Sequence, residues 1–436
     1  MENKRALVVG AGFAGGVVAR ELAEAGWKVL VIDKRNHIAG NAFDYINDHG
    51  IRVHKYGPHL WHGNSDAAQA WASQFTEWVP YKHFVEALLP NGKYVPLPIN
   101  SKTIKALFFA ELRDFIDCGN PATQDYWGYN DEEDDFLYHY SNRGYEAFLE
   151  SKREQINPED ITNSRQHVEA SVGKELCELF FAPYTKKMWG MDLADLPASV
   201  AARIPTKLDM ESMKKYGHWD QYYFPKDKHQ CLPAEGYTKM FERIFDHENI
   251  TVKLCVAREE LPQYSNGGYV VSISEEWTNA KFDAVFTAEP IDTYYKCDLG
   301  ELPWRSIKCH VVDVPLPQAL PAPVVNFTHD GPYTRVTEWK QLPAHGSNPY
   351  WTTLTFEEPC DYKDNNMERY YPVKTSHAVD PHRELYKKYR ARAQEDGIHF
   401  IGRCGRYVYT DMIPCVNSTL AQVKKFLAGE STQLEE

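Results

Sequence analysis

A glycine-rich turn set between two apolar runs constrains this chain more than any other stretch. Residues 6–9 lead into Gly10, Gly12 and Gly15, a helix-like segment follows with Phe13 and Ala14 in its first turn, and a second apolar run, 29–32, ends on Asp33. The order is strand, tight turn, helix and parallel strand, with an acid just past the second strand. Gly10 permits the turn, Gly12 lets backbone approach a pyrophosphate, and Gly15 lets helix and strand pack closely. The helix N-terminus adds free N–H groups and partial positive charge for phosphates. Asp33 can accept hydrogen bonds from an adenosine ribose. A glycine turn alone occurs in many α/β folds, but this one, with its flanking strands and acid, points to a bound dinucleotide.

After Asp33 the chain continues Lys34, Arg35, Asn36, His37, Ile38, Ala39, Gly40, Asn41. A second glycine turn so soon after the acid suits a cofactor that runs on across the sheet edge, as FAD does with its ribityl chain and ring system. Lys34 and Asn41 therefore join the expected cofactor contacts.

At 436 residues the chain is long enough for two or three structural units. No apolar run approaches twenty residues, so no membrane span is expected, and the N-terminal residues lack a signal-peptide apolar region. The 9 cysteines are odd in number and form no CxxC pair. Neither a disulfide framework nor a metal site is expected, and a reducing cytoplasm is. The net charge of −13 argues against nucleic acid as a partner. It also means that an anionic substrate needs a local basic cluster.

The opening unit runs to about residue 78, and 88–99 reads as a hairpin turning at Asn91 and Gly92. From 101 to 201 the apolar spacing is helical, with 131–135 (DEEDD) as a solvated acidic loop. Strand-like runs return over 253–289 and 307–358, and the last stretch reads as strand, loop and helix. The expectation is an α/β protein. It has a discontinuous FAD-binding Rossmann-type domain (1–78, 225–300 and 377–436), a helical insertion (101–201), and an antiparallel sheet domain (79–100, 202–224 and 301–376).

Further motifs follow in order: YGPHLWH (56–62), YTKKMWG (184–190), RIP (203–205), YYF (222–224), PAEGYTKM (233–240), PID (290–292), WRSIK (304–308), NFTHDGPYTRVTEWK (326–340), YYPV (370–373) and RYVYTDM (406–412). With the glycine turns, these resemble the UDP-galactopyranose mutase family over nearly the whole chain. Asp33 stands where that family usually has Glu, and Ala39 where it has Gly, neither expected to harm its role.

The resemblance implies an isomerase that contracts the ring of a nucleotide sugar, UDP-galactopyranose to UDP-galactofuranose as first choice, in cytoplasmic synthesis of cell-surface polysaccharide. Reduced FAD would attack the anomeric carbon through N5, so the protein need supply no nucleophile of its own. An external reductant and the nucleotide sugar are the implied partners, and a homo-oligomer is compatible. The protein must hold a diphosphate leaving group, work suited to Arg and Tyr.

By resemblance, Arg203 and Arg335 clamp the diphosphate, Tyr223, Tyr371 and Tyr409 donate hydroxyls to it, and Arg305 lies at the pocket edge. Asn326 and His83 join the substrate contacts, and Arg403, Asp411 and Met412 flank the flavin. Phe180 and Tyr184, four apart on one helix face, offer flat stacking for the base, although a core position suits Phe180 as well. Trp189 is directed to the sugar. His59, with His62 nearby, is expected to position N5 and the sugar, through its backbone carbonyl, rather than act as the acid.

Some residues depart from the family. His83 replaces an Asn, Glu289 replaces a Gly before PID, and the segment between Arg203 and Tyr223 is longer, with 206–221 expected to be a mobile loop. These leave a dTDP-6-deoxy or UDP-N-acetyl sugar open. An FAD-dependent oxidoreductase would share residues 5–41 without needing the Arg/Tyr clamp, and a nucleotide-sugar-binding protein would not need the flavin.

Overall fold

The computed structural model describes residues 4–100, 103–104, 106–108, 150–201, 223–224, 226–261, 277, 281–373 and 381–430. Arg203, the segment 206–221, the acidic run 131–135 and the apolar run 268–273 lie outside the described residues.

The chain opens with β1 (Arg5–Val9), α1 (Phe13–Glu24), β2 (Lys28–Asp33), β3 (Asp44–Ile46), β4 (Arg52–His54), β5 (Trp61–Gly63), α2 (Asp66–Ala72), β6 (Trp78–Pro80), β7 (Val85–Leu88) and β8 (Tyr94–Leu97). Helices α3 (Ser164–Val172) and α4 (Ala182–Trp189) come next, then β9 (His229–Pro233), α5 (Tyr237–Phe245), β10 (Ile250–Leu254) and β11 (Ala284–Thr287). The rest is β12 (Trp304–Val314), β13 (Val324–Phe327), β14 (Arg335–Glu338), β15 (Thr352–Asp361), β16 (Tyr371–Pro372), α6 (Pro381–Glu395), β17 (Ile398–Phe400) and α7 (Met412–Leu427).

Strands β10, β2, β1, β11 and β17 form one sheet in that order, every pair parallel. Both faces of such a sheet are covered, which is why β1 and β2 are apolar along their length rather than alternating. One face sets Ala6, Val8, Val29 and Val31 against α1, while Leu7, Leu30 and Ile32 on the other meet Leu261 and Trp277. Helix α1 also packs against α5 and α7. The late strand expected to rejoin the first sheet is β17, paired with β11.

A second sheet runs β16-β12-β15-β14-β13-β7-β8. Its pairs are antiparallel except β7 with β13, which are parallel because the early hairpin docks beside a strand far later in the chain. Helical segments cover this hairpin, with Val168, Val172, Leu176 and Phe180 packed on Val85, Val95 and Leu97. Among the described residues no helix is long and apolar enough to cross a membrane.

Candidate active site

The turn after β1 is built as its glycines require. Gly10 has φ +106°, and a Cβ on Gly15 would lie 1.8 Å from the Gly10 carbonyl oxygen. No side chain fits there, so Gly15 sits beneath the turn as packing. Gly12 opposes Gly40 so closely that a Cβ on Gly40 would come within 2.9 Å of the Gly12 Cα. Two backbones thus form a cradle that a pyrophosphate can enter. Ala39, next to it, takes the left-handed conformation at φ 69°, costing roughly 1–2 kcal/mol that a glycine there would avoid.

Asp33 already serves its own turn. Its Oδ2 accepts from the Ala11 N–H at 2.8 Å and its Oδ1 from the Arg35 N–H at 2.9 Å. An ionised carboxylate has about four acceptor sites, so ribose hydroxyls remain within its capacity. A cavity of about 300 Å³ opens here, walled by Gly10, Gly12, Phe13, Ala14, Asp33, Lys34 and Asn41, and at its far end by His59, Arg403, Asp411 and Met412. Sequence reasoning missed the brace over it. Glu368 binds Arg35 Nη2 at 2.5 Å and Lys34 Nζ at 3.3 Å, and Arg35 Nη1 donates to Asn41 Oδ1 at 2.9 Å. Glu289, in place of the family's glycine, lines the same cavity and pairs with buried Arg258 at 2.6 Å.

His59, Arg403, Asp411 and Met412 also line a second cavity of about 480 Å³, so the two spaces meet at these four residues. The second wall holds His83, Tyr184, Trp189, Tyr223, Asn326, Arg335, Tyr371 and Tyr409. Arg335 is the cross-strand partner of Asn326 on one side and of Glu357 on the other. Its Nε donates to Glu357 Oε1 at 2.6 Å. Burial alone would lower the Arg335 pKa, but Glu357 and then Tyr184 hold it well above the ordinary value. Arg335 is therefore a fixed cation.

Trp189, Tyr371 and Tyr409 form an aromatic wall, with Trp189–Tyr409 at 6.0 Å and Tyr371–Tyr409 at 5.5 Å. The Arg403 guanidinium lies 5.1 Å and 5.3 Å from the Tyr371 and Tyr409 ring centres, and its Nε donates to the Thr410 carbonyl. Burial pushes the Tyr371 hydroxyl up to about 12 and also raises Tyr184 and Tyr223. These phenols keep their protons and can donate to an anion.

His59 stands where the cavities meet. Its Nδ1 lies 2.8 Å from the Gly57 carbonyl, which can only accept, so Nδ1 carries the proton and Nε2 is the free lone pair. Burial drops its pKa to about 4, against the weaker opposing pull of that carbonyl. A neutral ring is a poor acid, consistent with a positioning role. His83 bonds Tyr81 through Nδ1 at 2.9 Å, and its carbonyl accepts from the Tyr223 N–H. His62 stacks on Phe224 with centres 3.6 Å apart and pairs with Asp227 at 2.7 Å.

Two predicted residues are not brought to the cavity. Phe180 is buried in the cluster between the helices and the β7–β8 hairpin. A wider turn over Cys177–Phe181 precedes α4, so the four-residue spacing to Tyr184 does not keep both rings on one face. Arg305 is not at the pocket edge either. Its Nε donates to the Met188 carbonyl at 3.0 Å and its Nη2 to that of Lys187 at 3.1 Å, closing the C-terminus of α4.

A profile of the family described as UDP-galactopyranose mutase matches residues 179–409, and one described as NAD(P)-binding Rossmann-like domain matches 8–75. A probable UDP-galactopyranose mutase of Klebsiella pneumoniae is 32% identical over 437 aligned positions, covering 100% of this chain and 98% of the relative. A dTDP-fucopyranose mutase of Escherichia coli is 29% identical, covering 95% and 96%. Among solved structures, that of a reduced UDP-galactopyranose mutase superposes with a TM-score of 0.70 at 15% identity, over 99% of this chain and 95% of the other, and so shares its fold.

Proposed function

Because the chain belongs to the UDP-galactopyranose mutase family, we propose that it interconverts the pyranose and furanose forms of UDP-galactose. It is an isomerase and its cofactor is FAD. The observation carrying the proposal is the junction itself, where a glycine-floored cavity opens onto a cavity of Arg and Tyr at His59, Arg403, Asp411 and Met412.

The cradle fits the cofactor. Gly10, Gly12, Phe13, Ala14, Asp33, Lys34 and Asn41 would hold its adenosine diphosphate half, and the four junction residues the flavin end. When bound and reduced, flavin supplies the nucleophile for the anomeric carbon. The chain's own residues then manage charge and position. Arg335, pinned by Glu357, the protonated Tyr184, Tyr223 and Tyr371, and the Tyr409 hydroxyl hold the nucleoside diphosphate as it leaves. Each charge-assisted contact contributes roughly 1.5–3 kcal/mol. Arg203 is proposed as the second clamp. His59 holds the sugar and the cofactor in register through a neutral ring and fixed backbone.

The E. coli relative supports a second reading, the same chemistry on a dTDP-6-deoxy sugar. Chromatography of pyranose and furanose forms, after incubation with UDP-galactose or dTDP-fucose under dithionite, tests both. Turnover should need reduced flavin, vanish in air and consume no stoichiometric reductant. Equal turnover by the oxidised enzyme would overturn the proposed mechanism. The reductant itself, and a route to surface polysaccharide, belong to the same proposal.

A further inference from the structure

Behind His59 stands a buried pair of histidines that the mechanism above does not use. His54 closes β4 and is 1% exposed, while His345, between β14 and β15, is 2% exposed. Their Nε2 atoms are 3.0 Å apart. His345 Nδ1 lies 2.7 Å from the Pro343 carbonyl, which can only accept, so that nitrogen carries a proton and donates it. The His59 N–H donates to His54 Nδ1 at 3.1 Å, so this nitrogen must offer a lone pair. The one proton between the rings therefore sits on His54 Nε2 and is donated to His345 Nε2. Both rings are neutral, in opposite tautomers, and the chain of donors runs from His59 through His54 and His345 to Pro343.

The surroundings keep it so. Tyr237 and Trp339 pack on the His54 ring at 5.6 and 4.8 Å. Among the described residues, Arg52, His59, Asp44 and Tyr237 are charged or titratable groups facing the pair. Burial holds His54 well below its ordinary pKa and brings His345 to about 4.

We propose that His54 and His345 are positioning residues that fix the backbone of His59 at the meeting point of the two cavities. The functional part rests on the cofactor reading above. Without an acceptor at position 345, the His54 Nε2–H is buried and unsatisfied. The ring then turns or changes tautomer, and the lone pair on Nδ1 is withdrawn from the His59 amide.

The test compares FAD-loaded wild type, His345→Leu and His345→Gln by hydrogen exchange of the peptide spanning 57–60, steady-state kinetics and flavin reduction potential. In His345→Leu the His59 amide should exchange about tenfold faster, kcat should fall about tenfold with KM within about twofold, and the potential should shift while FAD content holds. His345→Gln, whose carbonyl can accept from His54, should restore all three. Unchanged exchange in His345→Leu, or no recovery in His345→Gln, overturns the proposal. Should His345→Leu not fold, ¹⁵N spectra of the wild-type rings decide. Two neutral rings with opposite tautomers support the relay, and a charged ring or matching tautomers refute it. A wild type that binds no FAD defeats the cofactor reading instead, and leaves exchange and ring spectra to judge the pair.

Discussion

Arg335 and Glu357 are partners twice over, as neighbours in the β14–β15 ladder and as an ion pair 2.6 Å from Nε to Oε1. The sheet register thus sets where a cation stands in the substrate cavity. Arg335→Ala should cut turnover by about one to two orders of magnitude, the equivalent of roughly 1.5–3 kcal/mol of charge-assisted bonding. Flavin content should not change. Arg335→Lys should recover little, because a point charge cannot bond Glu357 and a diphosphate with one planar fork. Steady-state kinetics under dithionite decide it, and wild-type turnover in the Ala variant would make Arg335 a structural ion pair. Arg203→Ala should behave alike if it is the second clamp.

The two glycines of the turn should separate binding from folding. A Cβ on Gly12 would meet the Gly40 backbone at ordinary contact distances, Cα at 3.5 Å and N at 3.9 Å, so Gly12→Val should fold while filling the cradle. The expected product is colourless protein melting within a few degrees of wild type. Gly15→Ala forces a methyl into the Gly10 carbonyl, 1.8 Å away, and should cost about 3 kcal/mol or more in stability as well as the flavin. Flavin absorbance per protein and thermal melts distinguish the two, and a yellow Gly12→Val protein would place the cofactor elsewhere.

Arg305 offers a contrast with the clamp. Its two bonds to helix-end carbonyls predict that Arg305→Met destabilises by about 1–2 kcal/mol. Affinity for the free nucleoside diphosphate should hold within about twofold, since the guanidinium is not in the cavity wall. Urea midpoints and calorimetric titration test this, and a large loss of diphosphate affinity at unchanged stability would return Arg305 to the pocket.

His83 should make stability depend on pH in the acid range. Burial first, then the charges of Arg335 and His62, lowers its pKa to about 3 in the folded protein. The unfolded chain therefore takes up a proton near pH 6.5 that the native state refuses until about pH 3. The stabilisation is complete above 6.5 and lost as pH falls. Between pH 7 and pH 5 this one ring accounts for at most about 2 kcal/mol. Urea midpoints at the two pH values should differ less in His83→Gln, and an equal difference would mean that the ring does not resist protonation.

What could be read from the chain was whatever a short window encodes. The glycine turn, the acid and the Asn91–Gly92 hairpin carry their geometry in adjacent residues and stand as expected, save that Asp33 is the last residue of β2 rather than just past it. Glu357 had no local signal, because its meaning comes from a register that sets it opposite Arg335. The same holds for His54 and His345, 291 positions apart. Phe180 faces the core rather than the cavity because the turn over Cys177–Phe181 has a different pitch and breaks the helical phase. Arg305 turns to the end of α4 instead of the cavity, since a motif reports proximity to a site and not the direction of a side chain.

The sheet that floors the cofactor cavity has consequences for the order of synthesis. Its middle strand is made first, at Arg5–Val9, but its outer strand is Ile398–Phe400, and α7, packed on α1, follows still later. Arg403, Asp411 and Met412 lie in that last stretch. On the ribosome, the glycine turn therefore has His59 early but waits for the rest of its far wall until residues 403–412 are made. Cofactor capture with this wall in place follows the synthesis of Arg403, Asp411 and Met412, and a nascent chain halted before β17 would expose one side of β11 as an unpaired edge for chaperones to cover.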